Sequence, residues 1–167
     1  MKKLLIFSEQ ALFNDFVQPT DFVKTLKMLE KLSENGFFLA LVSTSPEETL
    51  LRMTRRKRVD ISHLFHKVQY VRRVYDLDDY LVSIISWGKR KKLSLGEMVY
   101  FGRSLYPDYS ATRTADGIEF IGVLISQNLN DPFAPCVSIT AEQKVEARNL
   151  WQFLPKYLEL AEAIKET

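Results

Sequence analysis

Four polar clusters in this chain stand directly after apolar runs: Ser8-Glu9-Gln10, Ser43-Thr44-Ser45, Arg72-Arg73 and Gly102-Arg103-Ser104. Hydroxyls donate single hydrogen bonds, and a guanidinium presents a planar fork of donors that matches phosphate geometry. Acid–base chemistry is harder to build from the same residues. Ser8 has no evident base to deprotonate it, and Gln10 exchanges no proton near neutral pH. His63 and His66 flank Leu64-Phe65 and are not at ligand spacing with any cluster of acids. Tyr75, Tyr106 and Tyr109 fall near the same clusters, where such rings line a cleft, contact a partner or simply pack. The chain has no Gly-x-Ser-x-Gly elbow, no Walker loop and no Gly-x-Gly-x-x-Gly fingerprint.

The elements that must position these residues alternate between two periods. Leu4–Phe7 is a continuous apolar run and reads as a buried strand. Phe22, Leu26, Leu29 and Leu32 follow at helical spacing after Pro19, and Asn35-Gly36 marks the stop. Phe37–Val42 is a second apolar run. Ser45-Pro46-Glu47-Glu48 then opens a helix expected to reach about Arg56. Val68–Val71 is a weaker strand, and Asp76 precedes a helix with a stripe at Leu77, Tyr80, Leu81, Ile84 and Ile85, ending near Gly88. Met98–Phe101 and Ile118–Val123 read as further strands, with a short helix over Asp108–Ala115 between them. Thr140-Ala141-Glu142-Gln143 is a capping box expected to open a helical C-terminal region that includes Leu150–Leu160. Pro155 should start or kink a helix there. Such alternation predicts one α/β domain over residues 1–167. It would be a three-layer α-β-α, Rossmann-like parallel sheet of about five strands. In open sheets of that kind ligands bind at the carboxyl ends of the strands, which is where the polar clusters stand.

With the clusters placed, LLIFSEQALFND (Leu4–Asp15), FLALVSTSP (Phe38–Pro46) and VYFGRSLYPDYSATRTADGIEFIGV (Val99–Val123) resemble the first, second and fourth motifs of the haloacid dehalogenase-like phosphatase superfamily. The resemblance spans roughly residues 4–123 and implies that family's core fold. It also implies what has been replaced. The family's nucleophilic Asp aligns with Ser8, its acid/base Asp with Gln10, and an Asp that helps to hold Mg²⁺ with Arg103. A carboxylate nucleophile gives a readily cleaved acyl phosphate, whereas a serine phosphate ester is far more inert. Loss of leaving-group protonation alone is worth about 10²–10⁴-fold. An arginine brings positive charge where a hard cation wants oxygen ligands. Ser43 matches the second-motif hydroxyl, Arg73 lies near the place of the family's lysine, with Arg72 as plausible, and Asp108 matches the last fourth-motif acid. An Arg103–Asp108 ion pair would then stand where the metal stood. The expectation is a catalytically degenerate member with no catalytic residues, no cofactor, Mg²⁺ binding lost and no room for a cap domain. It would act by binding a protein partner or a phosphorylated ligand in a regulatory or scaffold role, or by self-association. The rival is a divergent hydrolase using Asp15, Asp108 or Ser8.

Composition sets the frame. The chain has 167 residues, 46% hydrophobic and 26% charged, with a net charge of +2, which excludes disordered and collagen-like classes. A lone cysteine, Cys136, excludes an internal disulfide and suits a reducing compartment. The opening apolar run is too short for a signal peptide, and no stretch has the length of a membrane span, so a cytoplasmic protein is expected. The small net charge hides a division. Residues 52–92 carry twelve Lys/Arg against four Asp/Glu, a net +8, against −6 in the rest. Arg55, Arg56, Lys57 and Arg58, and then Lys89, Arg90, Lys91 and Lys92, each follow the end of an expected helix. Both clusters should therefore lie at the sheet edge opposite the strand-end residues. Basic residues there complement the helix dipole, but four in succession exceed that need. Nucleic acid, an acidic protein or an anionic surface are the partners that such a patch admits.

Overall fold

The computed structural model describes residues 2–12, 19–43, 64–124, 144–146 and 150–159. Six parallel strands form its sheet: β1 (Leu4–Ser8), β2 (Phe38–Ser43), β3 (Lys67–Tyr70), β4 (Met98–Gly102), β5 (Glu119–Leu124) and β6 (Lys144–Glu146). Their spatial order is β3-β2-β1-β4-β5-β6. The sequence implies five strands, and the sixth is the three-residue edge strand β6. It lies where a C-terminal helical region was expected, because Lys144-Val145-Glu146 is too short for its alternation to register as a pattern. Thr140–Gln143 and the helix expected from Ser45 to Arg56 lie outside the described residues.

The helices are α1 (Glu9–Leu12), α2 (Pro19–Glu34), α3 (Leu77–Arg90), α4 (Ser110–Thr114) and α5 (Leu150–Tyr157). Because successive strand residues face opposite ways, the apolar runs of β1, β2 and β4 feed two cores. Leu5, Phe7, Leu39, Leu41, Val99 and Phe101 pack with Met28, Leu29 and Leu32 of α2 and Leu150 and Leu154 of α5. Leu4, Ile6, Ala40, Val42 and Tyr100 pack on the other face with Leu77, Leu81, Ile84 and Ile85 of α3. This is the three-layer arrangement expected. Pro155 lies inside α5 and is buried, so it is accommodated rather than starting a helix.

The helix ends decide where charge goes. α2 closes with Gly36 at φ 86° and the Phe37 N–H donating to Leu32 O at 3.1 Å. Asp76 occupies the N-cap position of α3 but makes no side-chain cap bond, its carboxylate accepting instead from Arg73 Nε at 2.9 Å. Asp78 and Asp79 in the first turn, with Lys89 and Arg90 in the last, suit the helix dipole. Gly88 in that last turn faces the sheet. A Cβ there would stand 2.8 Å from Leu4 Cδ2 and 2.9 Å from Met98 Cε, so a larger residue would have to displace these two side-chain ends. Among the described residues no helix is long and apolar enough to cross a membrane.

Candidate functional site

The strand order reverses direction between β1 and β4, and their carboxyl ends are where a doubly wound sheet opens a crevice. Ser8 ends β1, Ser43 ends β2 and Arg103 follows β4, all three buried, so the structure gathers these residues as expected. Arg103 is 0% exposed, and its Nη1 donates to the Gln10 carbonyl oxygen at 3.2 Å. The Gln10 side chain itself is exposed.

Asp108 is held differently from expectation. The helix expected over Asp108–Ala115 begins as a single wide turn, Leu105–Tyr109, followed by α4. That turn folds the Asp108 carboxylate back under the end of β4. Its Oδ2 accepts from the backbone N–H of Arg103 at 2.8 Å and from the N–H and Oγ of Ser104, each at 3.2 Å. Its Oδ1 accepts from the Tyr100 hydroxyl at 2.7 Å. The predicted ion pair is therefore not formed: Asp108 meets the Arg103 main chain, while the guanidinium turns to Gln10. Gly102 makes this fold-back feasible, since a Cβ there would lie 2.7 Å from Asp108 Cβ and from Tyr100 Cε1. Burial pushes the Asp108 carboxyl above its ordinary range, and the four hydrogen bonds pull the other way. Burial, reinforced by the Asp108 charge, raises the Tyr100 hydroxyl well above its ordinary value.

Two residues here were not foreseen. Glu9, the first residue of α1, is buried, and Ser43 Oγ donates to its Oε2 at 2.5 Å. The Ser43 hydroxyl proton is thus donated to a carboxylate of the chain itself. Tyr100 is the other. A tyrosine in a fully buried strand must find a partner for its hydroxyl, and that requirement was the available signal.

Arg73 is not brought into the buried group. It is solvent-facing, bound to Asp76, with its guanidinium carbon 5.0 Å from the Tyr75 ring centroid. Arg72 is exposed as well. Tyr75 and Tyr106 are exposed and line a shallow cleft of about 90 Å³ beside α3 and α4. Tyr109 packs edge-on against Phe120 at 5.4 Å. His66 is exposed, and its Nδ1 accepts the Leu39 N–H at 3.0 Å, which carries the pairing of β2 and β3 one step further. Lys89, Arg90, Lys91 and Lys92 are exposed at the end of α3, on the opposite edge of the sheet as predicted. Asp15, His63, Cys136 and Arg55, Arg56, Lys57 and Arg58 lie outside the described residues.

Known structures share this architecture. A protein of Thermotoga maritima assigned as a beta-phosphoglucomutase superimposes with a TM-score of 0.65 at 13% identity, over 92% of this chain and 99% of that one. A haloacid dehalogenase-like family hydrolase of Streptococcus pneumoniae aligns with a TM-score of 0.50 at 9% identity, over 92% and 98%. A protein of Bacteroides fragilis assigned to the haloacid dehalogenase-like hydrolases gives 0.52 at 15% identity, over 80% and 93%. The chain has the haloacid dehalogenase-like core fold. No protein-family model and no curated protein matches the sequence. Within this haloacid dehalogenase-like core, the fit of the described residues to the Mg²⁺ implied by the fold is poor. Asp108 has hydrogen bonds on both oxygens, Arg103 adds a fixed positive charge, and no group of three His, Cys, Asp or Glu among the described residues could hold a metal.

Proposed function

We propose that this chain uses the haloacid dehalogenase-like fold for binding rather than for metal-dependent phosphate hydrolysis. It would act as a regulatory or scaffold subunit for a protein partner, or by self-association, in a reducing, cytoplasmic setting. The observation that supports this reading is that the strand-end carboxylates take their hydrogen bonds from the chain itself. Asp108 takes four hydrogen bonds from its own neighbours, Glu9 takes the Ser43 proton, and Arg103 is bonded to the Gln10 carbonyl. Groups committed to one another offer little to a metal or to a phosphoryl oxygen, because each new contact must displace an existing buried one. A generic phosphate ester incubated with the full chain, with and without Mg²⁺, tests this. The expected result is no turnover above buffer and no Mg²⁺ binding by calorimetry. Robust Mg²⁺-dependent turnover that Ser8→Ala abolishes would overturn it.

A second reading, a divergent hydrolase, draws support from Glu9. A carboxylate does stand at the carboxyl end of β1, one residue beyond the position that the family alignment indicates. If it were a nucleophile, turnover in the same assay would survive Ser8→Ala and vanish in Glu9→Gln.

A further inference from the structure

The amino edge of the sheet, opposite the strand-end residues, holds an open depression of about 460 Å³ walled by Lys3, Asn35, Phe38, Lys91, Lys92 and Glu97. The sequence shows a run of four cations here and no aromatic residues interleaved with them. Trp87 precedes the run by two residues, and folding brings Phe38 beside it. Phe38 opens β2, and Trp87 of α3 stands edge-on to it, with ring centroids 5.8 Å apart. Both rings are only partly buried, and the Lys91 ammonium lies 5.7 Å from the Trp87 centroid.

The cations are not consumed by neighbouring acids. Lys3 reaches the half-buried Glu97 at 3.6 Å and Lys89 reaches the exposed Asp116 at 3.7 Å, both long contacts. Arg90, Lys91 and Lys92 form no ion pair among the described residues. Lys92 also holds a left-handed backbone conformation at φ 65°, in a turn closed by Leu93 N–H donating to Gly88 O at 3.1 Å. Glycine closes such a turn at least cost, so the chain keeps a charge here against its conformational preference.

From this juxtaposition we propose that the amino edge is a docking site for single-stranded nucleic acid. Arg90, Lys91 and Lys92 would follow the phosphates, and the Trp87–Phe38 pair would take a base. The concave shape disfavours a flat anionic bilayer, and acidic side chains would leave the aromatic pair unused. Binding at the amino edge is independent of the strand-end residues, which occupy the opposite edge of the sheet.

Trp87 is its own reporter. In a Trp151→Phe background, short oligo(dT) and oligo(U) should each quench its emission saturably, and comparison of the two separates DNA from RNA preference. The wild-type chain gives the same readout over a constant Trp151 background. With three to four phosphate contacts, affinity should fall about 20- to 50-fold between about 50 and 200 mM salt. Lys91→Glu combined with Lys92→Glu, both fully on the surface, should weaken binding at least about tenfold without altering the circular dichroism. Absence of quenching, salt-independent quenching, or equal quenching by polyglutamate or by phosphatidylserine vesicles would each overturn the proposal.

Discussion

The carboxyl and amino edges of this sheet both carry charge, and they handle it in opposite ways. At the carboxyl edge Glu9, Arg103 and Asp108 are under 10% exposed, and each is engaged by a hydrogen bond from or to its neighbours. At the amino edge Lys89–Lys92 stand in solvent, and the ion pairs formed by Lys3 and Lys89 are long. A buried charge must be surrounded by donors or acceptors, because its desolvation costs several kcal/mol. An exposed one is tolerated without a partner, and its pairs contribute about 0–1 kcal/mol. The contrast separates charge retained as architecture from charge left available to another molecule.

The largest test of that contrast is Asp108→Ala. It strands the Tyr100 hydroxyl and the Arg103 and Ser104 N–H groups, and should cost about 3–5 kcal/mol in denaturant unfolding. Asp108→Asn keeps the shape and an acceptor, and should cost about 1–2 kcal/mol. The pair also reads the pH dependence. Because the Asp108 carboxyl is raised from 3.8, the native state holds its proton more tightly than the unfolded chain does. The Asp108 contribution to stability should therefore fall as pH rises from 3.8 through its raised value, and Asp108→Asn should remove that slope. A wild-type-minus-variant curve that rises with pH there would contradict the assignment. Next in size is Ser43→Ala, which leaves the buried Glu9 carboxyl without its donor, at about 1.5–3 kcal/mol in the same unfolding assay. The smallest effect has the opposite sign. Lys92→Gly relieves a left-handed lysine and should raise stability by about 0.5–1 kcal/mol. It should also weaken oligonucleotide binding, so the amino edge would gain stability as it loses affinity.

Much of the fold was legible because burial on both faces writes strands as unbroken apolar runs. The runs Leu4–Phe7, Phe37–Val42 and Met98–Phe101 all supply strands inside the sheet. The α3 stripe was equally clear, with Leu77, Leu81, Ile84 and Ile85 all buried. The edges were less legible. A three-residue strand such as β6 has too few positions to show alternation, and its pairing with β5 is a long-range event. At the site, the positions of Ser8, Ser43, Arg103 and Asp108 followed from strand ends, but their partners did not. Opposite charge suggested a side-chain pair between Arg103 and Asp108. The wide turn at Leu105–Tyr109 instead aims the carboxylate at main-chain N–H groups, a geometry no residue pattern specifies. The aromatic pair beside the basic run is half legible, since Trp87 adjoins the run in sequence and its partner does not. Phe38 is far from Lys91 in sequence and meets Trp87 only across the packed layer.

Gly88 ties these observations together mechanically. Its missing side chain lets the last turn of α3 rest directly on Leu4 and Met98. The four cations that follow are borne by that turn as on the tip of a lever. A larger side chain at position 88 would press on the Leu4 and Met98 side-chain ends beneath the turn that carries these charges. The packing beneath the basic edge thus turns on one buried residue that carries no charge.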